Sequence, residues 1–181
     1  MSEEGRISVE VVEDDPILRD ALVEALEADG TLYLKNAFAN AEDFLADLRH
    51  RAPQLVIMDL NLPGMKGIAC IRRAKEVLPA LHVLVSTVQD DDDSLFNALC
   101  AGATGYMLKD AASAEVVFAV RMLVAGGSPM SPGIARRVLD GFVRSRKQAK
   151  EVELLSERER EVLEQLAQGY RYKEIADGLN L

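Results

Sequence analysis

Tryptophan is absent from this 181-residue sequence, aromatic residues make up only 5%, and proline occurs 6 times. Long apolar segments are also missing: no run of about 18 uncharged apolar residues occurs, so no membrane-spanning helix is predicted. The first five residues carry two glutamates where a secretory leader carries basic residues, so export is not predicted either. With 49% apolar and 28% charged residues, the sequence predicts a soluble, folded protein of the cytoplasm.

Cysteine is also scarce. The two cysteines, Cys70 and Cys100, lack the spacing of metal ligands and have no third partner. A disulfide framework and a structural zinc site are therefore not expected. Both are interpreted as small residues of helices.

Charge is unevenly distributed along the chain, whose formal net charge is −9. Residues 1–130 hold 11 basic and 21 acidic residues, whereas residues 131–181 hold 10 basic and 9 acidic residues. The first part is expected to repel nucleic acid. The composition changes near Gly126, Gly127 and Pro129, which predicts a domain boundary there.

Short apolar segments alternate with longer amphipathic ones through the first 125 residues. The predicted strands are Ile7–Val12, Leu32–Phe38, Leu55–Met58, Leu81–Val85 and Thr104–Met107. The predicted helices begin near Pro16 and then span about residues 41–50, 65–77, 91–101 and 112–125. Parallel strands need crossover connections, and helices in those connections cover both faces of a sheet. The predicted fold class is therefore α/β, with a doubly wound, five-stranded parallel sheet.

The carboxyl ends of these strands carry acidic, hydroxyl and ammonium groups, and in open α/β sheets the site lies beyond those ends. The residues there are Glu13, Asp14, Asp15, Asp59, Ser86, Thr87 and Lys109. Carboxylates that lie close together disfavour each other's ionised form, and a divalent cation relieves this. Mg²⁺ is the predicted cofactor because it prefers oxygen ligands, and Glu13 and Asp14 have the chemistry to hold it directly or through water.

Asp59 is the candidate nucleophile toward phosphorus. A carboxylate can form a covalent phospho-aspartate while a metal and a lysine neutralise charge on the transferred oxygens. Lys109 suits that role as a compact charge on a flexible stem. The hydroxyl of Thr87 is a candidate hydrogen-bond partner of another phosphoryl oxygen.

Each of these residues also has an ordinary structural interpretation. Asp14 or Asp15 could be the N-cap of the first helix. Asp59 could be a turn carboxylate, Tyr106 could simply fill a strand, and Lys109 could be a solvated surface charge. The occurrence of all of them in order favours the functional interpretation.

The ordered set resembles the receiver domain of bacterial two-component response regulators. The segments that carry the resemblance are Glu13-Asp14, Asp59-Leu60-Asn61-Leu62-Pro63 with Gly67 downstream, Thr87, and Gly105-Tyr106-Met107-Leu108-Lys109. The resemblance covers about residues 6–125. It implies these roles: Asp59 as phosphoacceptor and metal ligand, Glu13, Asp14 and the backbone carbonyl of Asn61 as Mg²⁺ ligands, Thr87 and Tyr106 as switch residues, and Lys109 as phosphate partner. Val88 stands where the family more often has a smaller residue, and it is expected to narrow access to the acyl phosphate.

The resemblance also implies how phosphorylation is read out. A histidine kinase or phosphotransfer protein is the expected partner. The added charge is expected to draw Thr87 toward Asp59 and to let Tyr106 turn inward, which changes the face formed by strand four, helix four and strand five. The expected result is a phosphorylation-dependent homodimer.

The C-terminal part is predicted to be helical. Residues 131–150 carry an apolar stripe of Ile134, Val138, Leu139 and Phe142 opposite basic residues, which form either a phosphate-contacting surface or a solvated linker face. A capping box, Ser156-Glu157-Arg158-Glu159, opens the next helix. A second helix follows from about Lys173, as in a helix-turn-helix.

A second resemblance is carried by Leu155-Ser156-Glu157-Arg158-Glu159-Arg160-Glu161-Val162-Leu163, Leu166-Ala167-Gln168-Gly169, Lys173-Glu174-Ile175-Ala176 and Leu179. These residues are similar to the opening of the LuxR-type, helix-turn-helix output domain of the NarL/FixJ subfamily. Arg171 and Tyr172 replace residues that are usually small or amides. The recognition helix of the family would follow Leu181, so this chain is expected to bind DNA weakly and without sequence preference, whereas the full-length protein is expected to bind DNA specifically.

The predicted organisation is a receiver domain at 1–126, a linker with a helix at 127–150, and the N-terminal part of an all-α LuxR-type domain at 151–181. The predicted function is phosphorylation-controlled transcription regulation, without enzymatic activity beyond self-phosphorylation and slow autodephosphorylation. A receiver with a protein-binding output is an alternative. An aspartyl-nucleophile phosphatase is a weaker one, since such enzymes commonly need a second acid where this chain has Asn61.

Overall fold

The computed structural model describes residues 5–50, 52–88 and 91–141. The chain divides into two compact units, Met1–Val138 and Leu139–Leu181. The predicted helices after residue 150 lie outside the described residues.

Five strands and five helices alternate along the first unit, as the α/β prediction requires. The strands are β1 (Ile7–Val12), β2 (Leu32–Phe38), β3 (Leu55–Met58), β4 (His82–Thr87) and β5 (Gly105–Leu108). The helices are α1 (Pro16–Glu27), α2 (Ala41–Leu48), α3 (Gly67–Val77), α4 (Asp92–Ala101) and α5 (Ser113–Val124). Residues 132–141 are also helical and are called α6.

The sheet has the strand order β2-β1-β3-β4-β5, and every neighbouring pair is parallel. Going along the chain, the order reverses direction after β2, which places the carboxyl ends of β1 and β3 side by side at the switch point of the sheet. Ligands bind beside such a point in doubly wound folds. The topology therefore predicts the location of a site before any side chain is considered.

Two apolar layers hold the helices against the sheet. One face packs α2, α3 and α4, with Phe44, Ile71 and Leu95 fully buried. The other face packs α1 and α5, with Leu26 and Val120 fully buried. All four residues of β3 are buried, as expected of a central parallel strand covered on both sides.

Local sequence determines where the helices begin and end. Asp15 caps α1, because its carboxylate accepts hydrogen bonds from the N–H groups of Ile17 and Leu18. Asp91 caps α4 in the same way, through the N–H of Ser94. The α4 helix ends at Ala101 and is capped by Gly102, whose φ of 111° lies in the left-handed region.

Three consecutive acidic residues serve the start of α4. Asp91 is the cap, and Asp92 and Asp93 lie in the first helical turn, where the helix dipole favours negative charge. Both cysteines lie in helices, as predicted. Cys70 is buried in α3 and Cys100 is exposed in α4, and neither forms a disulfide.

In α6, two of the residues predicted for the apolar stripe face the protein. Ile134 is buried and Val138 is partly buried, whereas Leu139 is 66% exposed. Leu139 therefore does not belong to the packed side, and Phe142 lies outside the described residues. Among the helices that the structure describes, none is long and apolar enough to cross a membrane.

Candidate functional site

Three carboxylates meet at the carboxyl edge of the sheet. Glu13 directly follows β1, Asp14 comes next, and Asp59 directly follows β3. Oxygen atoms of the three side chains lie within 4.8 Å of one another. The structure thus brings together the acidic residues that the sequence predicted as a cluster.

The three acids differ in how far they reach solvent. Glu13 and Asp59 are buried, with 1% and 2% of their surface exposed, whereas Asp14 is exposed. Neighbouring Asp15 is committed to capping α1. The structure therefore separates the two candidate caps: Asp15 holds the helix, and the carboxylate of Asp14 is available at the mouth of the cluster.

Lys109 lies between the two buried acids. Its Nζ is 2.7 Å from Oε2 of Glu13 and 2.9 Å from Oδ2 of Asp59. The short strand β5 delivers it there, and its backbone N–H donates to the carbonyl of Thr87 at the end of β4. Lys109 is thus the cation of the cluster and not a solvated surface charge.

Burial and pairing act in opposite directions on these groups. Burial raises the pKa of Glu13 above its ordinary value, although the hydrogen bond and charge of Lys109 oppose this. Burial also lowers the pKa of Lys109, but its hydrogen bonds to Glu13 and Asp59 and their charges outweigh that effect, so its pKa is raised. The ammonium form is accordingly favoured in this cluster.

The loop after β3 is built to present Asp59. The backbone N–H of Asn61 donates to Oδ1 of Asp59 over 3.1 Å, which leaves Oδ2 toward Lys109. Gly67, the first residue of α3, lies so close that a Cβ on it would be 2.1 Å from the carbonyl oxygen of Asp59. A glycine is needed at that position because any side chain would push the loop and the helix apart.

Thr87 and Tyr106 lie on the adjacent strands β4 and β5. Thr87 ends β4 and is fully buried. Tyr106 pairs with Val85 in the β4–β5 ladder, and its side chain is 1% exposed within the apolar layer on the α4 side. The structure therefore places both predicted switch residues in the half of the sheet that borders α4.

One contact of the site was not predicted from the sequence. Arg19, in the first turn of α1, donates from Nη1 to the carbonyl of Glu13 over 2.9 Å. Side chains of a helix lean toward its N-terminus, so an arginine just after the cap can reach back to the preceding loop. The sequence feature that indicates this contact is the position of Arg19, four residues after the N-cap Asp15.

The donor set matches Mg²⁺ in its chemistry. The cluster offers carboxylate oxygens only, without sulfur or imidazole, and one of its acids is open to solvent. Mg²⁺ prefers such oxygen ligands and retains several waters. The group supports a hard divalent cation at this edge of the sheet.

Comparison with protein families gives two matches along the chain. Residues 9–121 match the family described as response regulator receiver domain. Residues 153–181 match the family described as bacterial regulatory proteins, luxR family. The two segments together include every residue of the cluster and the C-terminal segment with the second motif.

Individual relatives agree with this. The chain is 30% identical to the transcriptional regulatory protein MctR of Rhizobium johnstonii, over 100% of this chain and 82% of that protein. It is 29% identical to the response regulator protein VraR of Staphylococcus aureus, over 97% and 82%. Among solved structures, a LuxR-family two-component response regulator from Aurantimonas sp. superposes with a TM-score of 0.71 at 30% identity, covering 76% of this chain and 99% of that one.

Proposed function

Because this chain belongs to the response regulators with a LuxR-type DNA-binding segment and is a two-component transcription regulator, we propose that Asp59 is its phosphoacceptor. We assign the receiver domain to residues 1–126, the linker to 127–150 and the LuxR-type segment to 151–181. The observation that carries the proposal is the position of Asp59, a buried carboxylate that shares one ammonium with Glu13 and lies beside a solvent-exposed acid, Asp14.

The proposed reaction moves a phosphoryl group to Asp59 from a phosphohistidine of a histidine kinase or phosphotransfer protein. A carboxylate oxygen of Asp59 attacks phosphorus, the P–N bond to the donor breaks, and the donor nitrogen keeps the electron pair. Lys109 pairs with negative charge on the transferred oxygens, as it now pairs with the carboxylate of Asp59. The N–H of Asn61 keeps the other carboxylate oxygen in place.

We assign the Mg²⁺ ligands to Glu13, Asp14, Asp59 and the backbone carbonyl of Asn61. When bound, Mg²⁺ supplies positive charge that neutralises phosphoryl oxygens. Exposed Asp14 is the acid through which the ion can reach the cluster from solvent.

The reaction stops at the acyl phosphate, with slow hydrolysis. Hydrolases that use an aspartyl nucleophile commonly place a second acid two residues later to activate water, and this chain has Asn61 there. An amide cannot serve as a general base. We therefore propose a phosphorylation switch with no other catalytic function.

The switch uses Thr87 and Tyr106. The phosphoryl group offers acceptor oxygens to the hydroxyl of Thr87, which ends the strand next to Asp59. Movement of Thr87 changes the space beside Tyr106 on the neighbouring strand. The face formed by β4, α4 and β5 changes with it, and we propose that this favours a homodimer and the DNA-binding state of the regulator.

The test is intact-mass and peptide mass spectrometry after incubation with acetyl phosphate and Mg²⁺. Wild type is expected to gain the mass of one phosphoryl group, located on Asp59. The Asp59→Asn variant should gain none, and Asp20→Asn, which changes an exposed acid of α1, should behave as wild type. Phosphorylation of Asp59→Asn to the same extent as wild type would overturn the assignment.

A further inference from the structure

The segment after α5 returns to the edge of the sheet and lies against Tyr106. The backbone N–H of Tyr106 donates to the carbonyl of Pro129 over 3.1 Å. The hydroxyl of Ser128 donates to the carbonyl of Thr104 over 2.7 Å. Residues 128–138 are called the strap. In the described sheet β5 is an edge strand. The first residues of the strap cover part of its outer edge.

The strap is then fixed to α4. Ser131 caps the start of α6, since its hydroxyl accepts a hydrogen bond from the N–H of Ile134. The Ile134 side chain is 4% exposed and belongs to the same apolar layer as Tyr106. Nε of Arg137 lies 2.7 Å from Oδ1 of Asp92, in the first turn of α4. Ile134 and Tyr106 also line an open groove of about 680 Å³, together with Phe118 and Met122 of α5.

These anchors lie on the elements that the proposed switch moves. Thr87 ends β4 and Asp92 lies in the first turn of α4, with four residues between them in the sequence, so the two elements follow each other closely along the chain. Tyr106 contacts the strap through its backbone and shares the buried layer with Ile134. Packed elements of this kind change between discrete arrangements and do not deform continuously.

We propose that the strap is a regulatory latch, in which Arg137 and Ile134 hold α4 and Tyr106 in the resting arrangement and are released when Asp59 is phosphorylated. The proposal rests on the proposed function and adds to it the element that carries the change out of the receiver domain. Coupling between two sites is reciprocal. If phosphorylation opens the latch, weakening the latch must favour the phosphorylated state.

The first experiment measures the apparent affinity for beryllofluoride, a mimic of the phosphoryl group, by NMR titration of the full chain in excess Mg²⁺. Arg137→Gln is expected to bind about twofold to fivefold more tightly than wild type, because the ion pair is partly exposed. Arg136→Gln removes an exposed neighbouring charge and is the matched control, with unchanged affinity. Ile134→Ala should have a larger effect, about tenfold.

The second experiment measures hydrogen exchange of the Tyr106 amide, which reports directly on its bond to Pro129. Beryllofluoride and Ile134→Ala should each accelerate this exchange, while Arg136→Gln should not. The latch is overturned if Arg137→Gln and Ile134→Ala bind beryllofluoride no more tightly than wild type does. It is also overturned if the hydrogen-exchange rate of the Tyr106 amide does not change. If wild type itself shows no response to beryllofluoride, the proposed function fails as well, so the two failures are distinguishable.

Discussion

At the scale of single residues, Lys109 decides the electrostatics of the site. It is the cation that the structure places between Glu13 and Asp59, both of which are almost completely buried. Carboxylates so close to each other repel, and a positive charge between them offsets that repulsion. The residue therefore stabilises the fold as well as the proposed phosphoryl group.

Replacing Lys109 by Met should lower the free energy of unfolding without Mg²⁺ by about 2 kcal/mol, because two buried carboxylates lose their counter-charge. The same change should tighten Mg²⁺ binding by about tenfold, since the ammonium no longer competes with the ion for the acids. Thermal unfolding at several Mg²⁺ concentrations measures both effects. Lys66→Met, which removes an exposed lysine bonded to the carbonyl of Leu62, is the control. Equal Mg²⁺ dependence in the two variants would contradict this account.

Glu10 is a buried acid that the proposed chemistry does not use. It lies on β1, fully buried, and its two carboxylate oxygens have no hydrogen-bond partner. Its pKa is raised to about 7, chiefly by burial and to a smaller extent by the charge of nearby Asp47, while the charge of Lys35 opposes the shift. The folded chain therefore holds this proton more tightly than the unfolded chain, and the stability due to it is lost as pH rises through about 7.

Glu10→Gln should accordingly stabilise the chain relative to wild type, and more at pH 8 than at pH 5. The difference between the two pH values should be about 2 to 3 kcal/mol, because a shift of one unit in pKa corresponds to about 1.4 kcal/mol. Urea unfolding at both pH values measures it, with Glu24→Gln on the exposed side of α1 as control. A stability gain that is the same at pH 5 and pH 8 would show that Glu10 is already ionised in the folded chain.

At the scale of secondary-structure elements, the sequence predicts the sheet well because its signals are local. The bounds of β1, β2 and β3 are those predicted from short apolar runs. β4 extends to Thr87, two residues beyond the prediction, because Ser86 and Thr87 are polar and end the apolar run while still pairing with β5. The sequence pattern shows only where the run of apolar residues stops. The strand itself continues as long as its residues pair with the neighbouring strand.

Contacts between residues that are far apart in the sequence are the part of the structure that local sequence patterns do not predict. Arg137 was considered only as part of a basic surface, yet it pairs with Asp92, 45 residues earlier. Glu10 lies within a predicted strand, where apolar residues flank it on both sides. A glutamate in that setting is the sequence feature that indicates an unusual buried position. The clustering of Glu13, Asp14, Asp59 and Lys109 was predictable, since parallel strands bring their carboxyl ends to one edge. The precise hydrogen bonds required the structure.

The approach of α3 to the loop after β3 gives a sharp test at this scale. Gly67→Ala should lower the free energy of unfolding by about 2 kcal/mol and slow phosphorylation by acetyl phosphate, because the new methyl group would overlap the backbone at Asp59 and Leu60. Gly30→Ala is the matched control, since no atom lies within 4 Å of its added methyl group. Chemical denaturation and the phosphorylation rate provide the two readouts. Equal behaviour of the two alanine variants would contradict the close packing.

At the scale of the whole molecule, the part of the chain proposed to accept the phosphoryl group and the part with the LuxR-type segment differ in net charge. Residues 1–130 carry ten more acidic than basic residues, whereas residues 131–181 are nearly balanced. The excess of negative charge in the acidic part disfavours contact with DNA, and the same part holds the cluster for which we propose a divalent cation. In the proposed function, the phosphorylation signal passes along the chain from the acidic receiver domain to the LuxR-type segment.

Phosphorylation should also change the assembly of the whole chain. Native mass spectrometry with acetyl phosphate and Mg²⁺ is expected to show a larger dimer fraction in wild type and in Asp20→Asn. No such increase is expected in Asp59→Asn, because the signal begins at that carboxylate. A dimer fraction that rises equally in Asp59→Asn would place the origin of assembly elsewhere in the molecule.

The most direct test of the central claim is an NMR titration of the full chain with beryllofluoride in saturating Mg²⁺. We predict large shifts of the amides of Asn61, Thr87 and Tyr106, the first on the Asp59 loop and the others on β4 and β5. The Asp59→Asn variant should show none of these shifts. A wild-type spectrum that stays the same on addition of beryllofluoride would contradict the account.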